Sequence, residues 1–282
     1  MSSILTNNSA IVALQTLKGI NQSLAKTQDA ISTGKAINSA KDNAAIWAIS
    51  KVMDSDVNAF KAIQSNLSMG ASVITNARVA AETVGDLLNE IKTKVVAAQD
   101  GSFNRATLQA DINDLKAQIT SAVSASQFNG INLVNGTETT DFQVLASIDR
   151  ASDGTMTPAS IDVDPTTTDL SLAGTILATL DAIDVETSAD LAADLQTVED
   201  AIADVVDVAF TFGSAGKRIE IQSNFISKLS DSMKTAIGAL VDTNMEEASA
   251  RLQALQTQQQ LGIQSLAIAN QGPSSILALF RG

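Results

Sequence analysis

Apolar residues recur along this chain in steps of seven, and two runs dominate. From Ile46 the steps land on Met53, Phe60, Leu67, Ile74, Ala81, Leu88 and Val95, so eight consecutive positions are apolar. Three residues after the first seven of these come Ile49, Asp56, Ile63, Gly70, Ala77, Val84 and Ile91, which completes the two-position seam of a coiled coil with faults at Asp56 and Gly70. The second run is Leu191, Val198, Val205, Phe212, Ile219, Ile226, Met233 and Leu240. Gly213 and Gly216 lie inside it and weaken a helix by about 1 kcal/mol each, but the phase passes through them, so one helix is expected. Each run is about 75 Å long at the helical rise. Two helices of equal length suit antiparallel pairing. Ser39 with Asp42, and Thr187 with Asp190, read as capping boxes that start them. Asp100-Gly101 reads as the end of the first.

Between the runs, Leu108, Ile112, Leu115, Ile119 and Ala122 predict a shorter amphipathic helix ending at Phe128-Asn129-Gly130. Asn-Gly pairs at 129–130 and 135–136 flank Ile131-Asn132-Leu133-Val134, which predicts a strand and a hairpin. Residues 137–175, rich in Thr, Asp and Ser, predict short strands and loops. Near the ends, Ala10, Leu17, Leu24 and Ile31, and Met245, Leu252, Gln259 and Leu266, also fall in sevens. Their stripes are narrow, so both ends are expected to be disordered in the monomer and to order only against other chains. The fold class is mainly α: a long antiparallel coiled-coil rod with a small β-hairpin and the two termini paired at one end.

Charge divides the chain the same way. The 282 residues carry 18 basic and 31 acidic side chains, a net of −13. Residues 1–135 hold 11 basic and 10 acidic groups, residues 213–282 hold six and five, and residues 136–212 hold one and 16. The acidity belongs to the middle, which is expected to face water while the ends face something else. So acidic a chain is a poor nucleic-acid binder. No charge occurs from Met1 to Leu17, so no basic leader precedes an apolar core and no cleaved signal peptide is expected. None occurs from Leu252 to Phe280 either, but the Gln, Ser and Asn there argue against a membrane span and for a protein interface.

The absence of Cys and His removes thiol nucleophiles, imidazole bases and the usual zinc sites. Paired carboxylates such as Glu246-Glu247, or Asp162 with Asp164, have nothing converging on them and read as solvated surface. Asp149 to Gly154 lacks most of a calcium loop, and Gly213 to Arg218 lacks the glycine spacing of a phosphate loop. No catalytic residue, metal, cofactor or small-molecule substrate is expected. Trp47 is expected to pack across the start of its helix. Asp56, at a seam position, reads either as a register-setting polar residue or as a contact to another subunit.

The stretch Ile31-Ser32-Thr33-Gly34-Lys35-Ala36-Ile37-Asn38-Ser39-Ala40-Lys41-Asp42-Asn43-Ala44-Ala45 resembles the amino-terminal signature of bacterial flagellins. Leu261-Gly262-Ile263-Gln264-Ser265-Leu266-Ala267-Ile268-Ala269-Asn270-Gln271, with Ile276 to Arg281, resembles their carboxy-terminal signature. Phe128-Asn129-Gly130-Ile131 is similar to a turn of that family, and Gly213 to Arg218 to its Gly-Ala-x-x-Asn-Arg segment, with Lys217 in place of Asn. The resemblance covers roughly 1–136 and 187–282. It implies a non-enzymatic subunit that polymerises into the flagellar filament, the propeller for swimming. A hook–filament junction protein, with similar termini, is the alternative.

The resemblance further implies export through the flagellar type III channel to the extracellular flagellum. Partners would be other copies of the chain, a cap, junction proteins and an export chaperone. Residues 1–34 and 240–282 would form a coiled coil lining an inner tube, assembled through Leu17, Leu24, Ile31, Leu252, Leu255, Leu266, Ile268 and Leu277. Residues 35–136 and 187–239 would form an outer tube of helices with the hairpin, and 137–186 a short acidic surface segment. Flagellins that bind the flagellin-sensing Toll-like receptor carry Leu-Gln-Arg-Val-Arg-Glu-Leu-Ala-Val-Gln on the long helix. Here Glu90 replaces an arginine and Lys94 a leucine, which implies weak or absent recognition.

Overall fold

The structure is a computed structural model that describes residues 7–151 and 153–279, with side chains described as far as Gln271. It is mainly α with one small antiparallel sheet. In chain order come α1 (Asn8–Thr33), α2 (Ala44–Gln99), α3 (Arg105–Ala125), β1 (Phe142–Arg150), β2 (Met156–Val163), a 3-10 turn (Pro165–Thr167), α4 (Ala178–Asp181), α5 (Leu191–Val241) and α6 (Met245–Leu279). They divide into two compact units. One comprises residues 58–230, and the other residues 1–57 with 231–282.

In the 58–230 unit the seven-residue phase becomes a core. Phe60, Leu67, Ile74, Ala81, Leu88 and Val95 of α2 are buried, as are Ile63, Ala77, Val84 and Ile91 three residues after their seam partners. Val198, Val205, Phe212, Ile219 and Ile226 of α5 are buried likewise, with Leu191 at its start. The helices run antiparallel, since Gly85 lies beside Val205, Gly216 beside Ile74, and Lys92 pairs with Glu199 at 2.5 Å. Each glycine sets its backbone close to a branched side chain of the other helix. α3 folds back on α2 and adds Leu108, Ile112, Leu115, Ile119 and Val123. Lys94 bonds Asp111 at 2.6 Å, and the Ser126 hydroxyl donates to the Asn76 carbonyl. Ala122 is only half-buried, and Val123 takes the inward place.

The seam loosens at its ends. Ile46 and Met53, which belong to the other unit, are half-buried and Ile49 is exposed; Met233 is half-buried and Leu240 exposed. Asp56 is half-buried and has an interaction partner.

Both expected capping boxes are corrected. α2 starts at Ala44, where the Asn43 side chain accepts from the Ile46 amide. Ser39 instead donates its hydroxyl and amide to Asp42 in the preceding turn. α5 starts at Leu191, where Asp190 accepts from the Ala192 and Ala193 amides. Thr187 donates to Asp184. In each case a carboxylate or amide one residue before the helix captures its first free amides.

The hairpin is displaced too. Asn129 and Gly130, with φ of 53° and 86°, form a tight turn closed by mutual bonds of Phe128 and Ile131, but Ile131 to Val134 pair with no strand. Asn132 donates instead to the Val123 carbonyl and accepts from the Val134 amide. The Val134 amide is thus spent, and the Leu133 and Val134 carbonyls accept from the Thr168 hydroxyl and the Leu170 amide, which leaves a ladder without these groups. The observed hairpin is β1–β2, with a bulge at Ala146. That residue's carbonyl accepts from the Gln222 side chain of α5 at 3.0 Å. On β1, Val144 lies over Gly70 of α2.

The acidic middle does not simply face water. Leu170, Leu177, Leu180, Ile183 and Val185 are buried among Asp and Glu residues that are exposed or half-buried. Gln109 and Lys116 of α3 hold this strap. Lys116 Nζ donates to the Asp181 and Ile183 carbonyls at 3.0 Å, and Gln109 accepts from the Val185 amide at 2.7 Å. Burial pushes the Lys116 pKa down, while Asp181 and Asp184 oppose the shift.

Candidate functional site: the paired terminal helices

In the other unit, α1 and α6 pack antiparallel along their lengths. The ends of the pair are fixed by backbone bonds. The Thr243 amide donates to the Gly34 carbonyl at 3.0 Å, and the Ala36 amide to Val241 at 2.7 Å. Gly34 ends α1 with φ 71°, a left-handed value that suits glycine. Asn7 caps α1 and also donates to the Ala269 carbonyl at 2.7 Å. Midway, Gln259 donates to Asn21 at 2.8 Å. Asn244 accepts from the first amides of α6.

The expectation of disordered ends is therefore corrected: the described parts of both ends are helices. Neither stripe is wide enough to stabilise a lone helix, but each covers the other. The inward residues of α1 are Ala10, Ala13, Leu17, Ile20, Leu24, Thr27 and Ile31, and those of α6 are Ala248, Leu252, Leu255, Gln259, Gly262, Leu266 and Ala269. This is an alternation of three and four, the spacing of a coiled-coil seam. Leu17 comes against Gly262, where an added Cβ would lie 3.1 Å from its methyl carbon.

Of the expected assembly residues, Leu17, Leu24, Ile31, Leu252, Leu255 and Leu266 thus share one seam, each half-buried. Ile268 points away and is 70% exposed. The side chain of Leu277 lies outside the described residues. Steps of seven find one seam position per turn pair but miss Ala13, Ile20, Thr27, Ala248, Gly262 and Ala269. Most are too small or polar to register as apolar, and only their three-residue offset marks them.

The pair remains rich in uncovered apolar surface. Ile11, Val12, Leu14, Leu261, Ile263 and Ile268 are each more than half exposed. So much exposed aliphatic surface on two adjoining helices marks an interaction site. Among the described residues, no helix is long and apolar enough to cross a membrane. Among the described residues, no group of three Asp or Glu is placed to hold a metal ion.

Comparison with known proteins places this surface in a family. The description "Bacterial flagellin N-terminal helical region" matches residues 4–139, and "Bacterial flagellin C-terminal helical region" matches residues 195–280. A flagellin of Brucella melitensis is 42% identical over the whole of both chains. Flagellin FljM of Caulobacter vibrioides is 38% identical over all of this chain and 99% of its own. A solved structure of a flagellar hook-associated protein from Vibrio parahaemolyticus shares the fold at 17% identity and a TM-score of 0.55, covering 71% of this chain and all of that one. Two family regions at the two ends and full-length relatives between them lead to one conclusion: this chain belongs to the bacterial flagellin family.

Proposed function

We propose that the chain is a structural subunit that polymerises into the bacterial flagellar filament, the helical propeller of swimming cells. The observation that carries this reading is the uncovered aliphatic surface of the α1–α6 pair, which has no charged residue from Leu252 onward to Phe280. Surface of this kind gains by contact with more of itself.

On this reading residues 1–34 with 240–282 line the inner tube, where Leu17, Leu24, Ile31, Leu252, Leu255 and Leu266 order the terminal coiled coil and the exposed Ile268 is left to meet neighbouring copies. Residues 35–136 with 187–239 form the outer tube around the α2–α5 seam, and 137–186 turns its charged side to solvent while Leu170, Leu177, Leu180, Ile183 and Val185 stay buried. The chain leaves the cell through the flagellar type III channel, helped by an export chaperone, and meets cap and junction proteins at the filament ends. A chain without Cys and with few aromatics suits passage in an unfolded state.

Electron microscopy of the purified protein after seeding or salt-induced polymerisation tests the proposal. Long uniform tubes with a central channel are expected. Persistent monomers or small rings from the intact chain overturn it.

A further inference from the structure

The chain has two Asn-Gly pairs, and the fold surrounds them differently. At Asn135-Gly136 the backbone leaves the core: Val134 is fully buried, Asn135 half-buried and Gly136 exposed. Asn135 Oδ1 accepts two hydrogen bonds from one residue, the Thr137 amide at 3.1 Å and the Thr137 hydroxyl at 2.6 Å. Gly136 adopts φ 68°, a left-handed value. A Cβ built on it would lie 2.7 Å from Cγ of Asp169 and 3.0 Å from its Oδ1. The Asp169 carboxylate is itself fixed, because Oδ1 accepts from the Ser171 amide at 2.9 Å and the group also rests against Gly174. Position 136 must therefore be glycine on two counts, backbone conformation and space.

That requirement has a chemical consequence. A glycine leaves its backbone nitrogen unshielded, and the Gly136 nitrogen stands next in the chain to the Asn135 side-chain amide, so nucleophile and carbonyl are held together. The fold supplies two further parts. The Thr137 donors polarise the Asn135 side-chain carbonyl and already point at the oxygen on which charge develops when its carbon is attacked. Asp169 supplies a base: bond lengths put its carboxyl carbon within about 5 Å of the Gly136 nitrogen, the reach of one bridging water. The pair Asn129-Gly130 has no such neighbour, since nothing lies within 4 Å of a Cβ built on Gly130.

We infer that Asn135 is a self-modification site, which loses ammonia to its own backbone and becomes aspartate or isoaspartate. The Gly136 nitrogen forms a bond to Asn135 Cγ, and its proton passes to the Asp169 carboxylate. The Cγ–Nδ2 bond breaks, and Nδ2 leaves as ammonia with that proton. The product is a five-membered cyclic imide. Water then opens it. Addition at Cγ breaks the new bond and leaves aspartate. Addition at the Asn135 backbone carbonyl breaks the old peptide bond and leaves isoaspartate, with the chain running through the former side chain. Nothing is oxidised or reduced. Either product adds a negative charge to the acidic middle. Isoaspartate also lengthens the backbone by one carbon directly after Val134, whose carbonyl holds the Leu170 amide at 2.8 Å, and so loosens that attachment of the strap.

The purified chain is aged at neutral pH in heavy-oxygen water, digested in ordinary water and sequenced by mass spectrometry with electron-transfer fragmentation. Label enters an Asn-Gly site only where an imide has opened, and the fragments tell aspartate from isoaspartate. Position 135 should gain label several-fold faster than position 129 in the folded chain. In denaturing urea, where Asp169 is released, the two rates should converge. Asp169→Asn keeps an acceptor for the Ser171 amide but lacks the base. It should slow conversion at 135 on the order of ten-fold and steepen its rise with pH, because hydroxide must then take the proton. A merely structural effect would leave the pH profile unchanged. If the variant fails to fold, the wild-type comparison of the two pairs decides. Equal rates at 135 and 129 in the folded chain overturn the inference, as does a ratio that urea leaves unchanged. Wild-type rate and pH profile in folded Asp169→Asn overturn it too. None of these outcomes depends on whether the chain polymerises.

Discussion

Gly70 of α2 sits so close beneath Val144 of β1 that a Cβ built on it would lie 2.6 Å from both Val144 methyls. The glycine that interrupts the α2 seam is thus the seat of the hairpin. Rotating Val144 clears one methyl at most, because both crowd the same point.

Gly70→Ala should therefore destabilise the protein although alanine is the better helix former. Overpacking costs about 1–3 kcal/mol, set against a gain of about 1 kcal/mol in propensity. Thermal unfolding should show a lower Tm. Adding Val144→Ala should recover part of the loss, and a strictly additive double mutant would refute the contact.

Leu17→Ala with Leu266→Ala tests the assembly seam. Both leucines are half-buried, so each truncation costs less than a full core deletion, on the order of 1–2 kcal/mol. Circular dichroism should still show the long helices of the 58–230 unit. Electron micrographs should show no filaments; normal filaments would count against the inner-tube assignment.

Lys116 predicts a pH dependence. Burial lowers its pKa from 10.5, so in the window just below 10.5 the unfolded chain binds the proton that the folded chain has released. Stability conferred by this residue therefore rises with pH across that window. Lys116→Met should remove the slope in chemical denaturation series. It should also speed amide exchange around Val185, because two carbonyls lose their donor.

Asp42 and Asp184 predict the opposite end of the scale. Hydrogen bonds, first of all from the Ser39 and Thr187 hydroxyls, hold their carboxyls below 3.8. Their contribution is complete above pH 3.8 and is lost as pH falls through the lowered value. Asp184→Asn should flatten the acid limb of the unfolding curve followed by circular dichroism. An unchanged limb would show that these bonds are not formed in solution.

Glu90 and Lys94 bear on immune sensing. Glu90 is exposed, and Lys94 is committed to Asp111. If the receptor uses this helix face as a hot spot, the two changes remove several kcal/mol of binding. Reporter cells for the flagellin-sensing receptor should respond weakly. A response at the potency of enteric flagellin would reject this.

Large side chains at regular spacing made the α2–α5 core legible in advance: Leu67 and Phe212 are fully buried where the sevens place them. Short strands were expected within 137–175, where β1 and β2 lie, but not their pairing as the hairpin. The segment reads as Thr-rich and acidic, and its docking depends on Gly70, a gap with no pattern of its own. The Asn-Gly pair at 129–130 gave the turn correctly, but Asn132, Thr168 and Leu170 took backbone groups that a strand there needed. The terminal pair was half legible. Leu17 and Leu266 stand out, whereas Ala13 and Gly262 matter for being small. Disorder was wrongly expected because each end was weighed without its partner.

The bond from Asn7 to Ala269 joins residues 262 positions apart. The α1–α6 pair is therefore the last part of the chain able to form. A ribosome adding about 5–20 residues per second needs roughly ten to fifty seconds to go from α1 to α6. Throughout that interval the first helix has nothing to pair with. The delay keeps the adhesive surface apart until the whole chain exists, so a truncated product carries one half of the pair and cannot complete it.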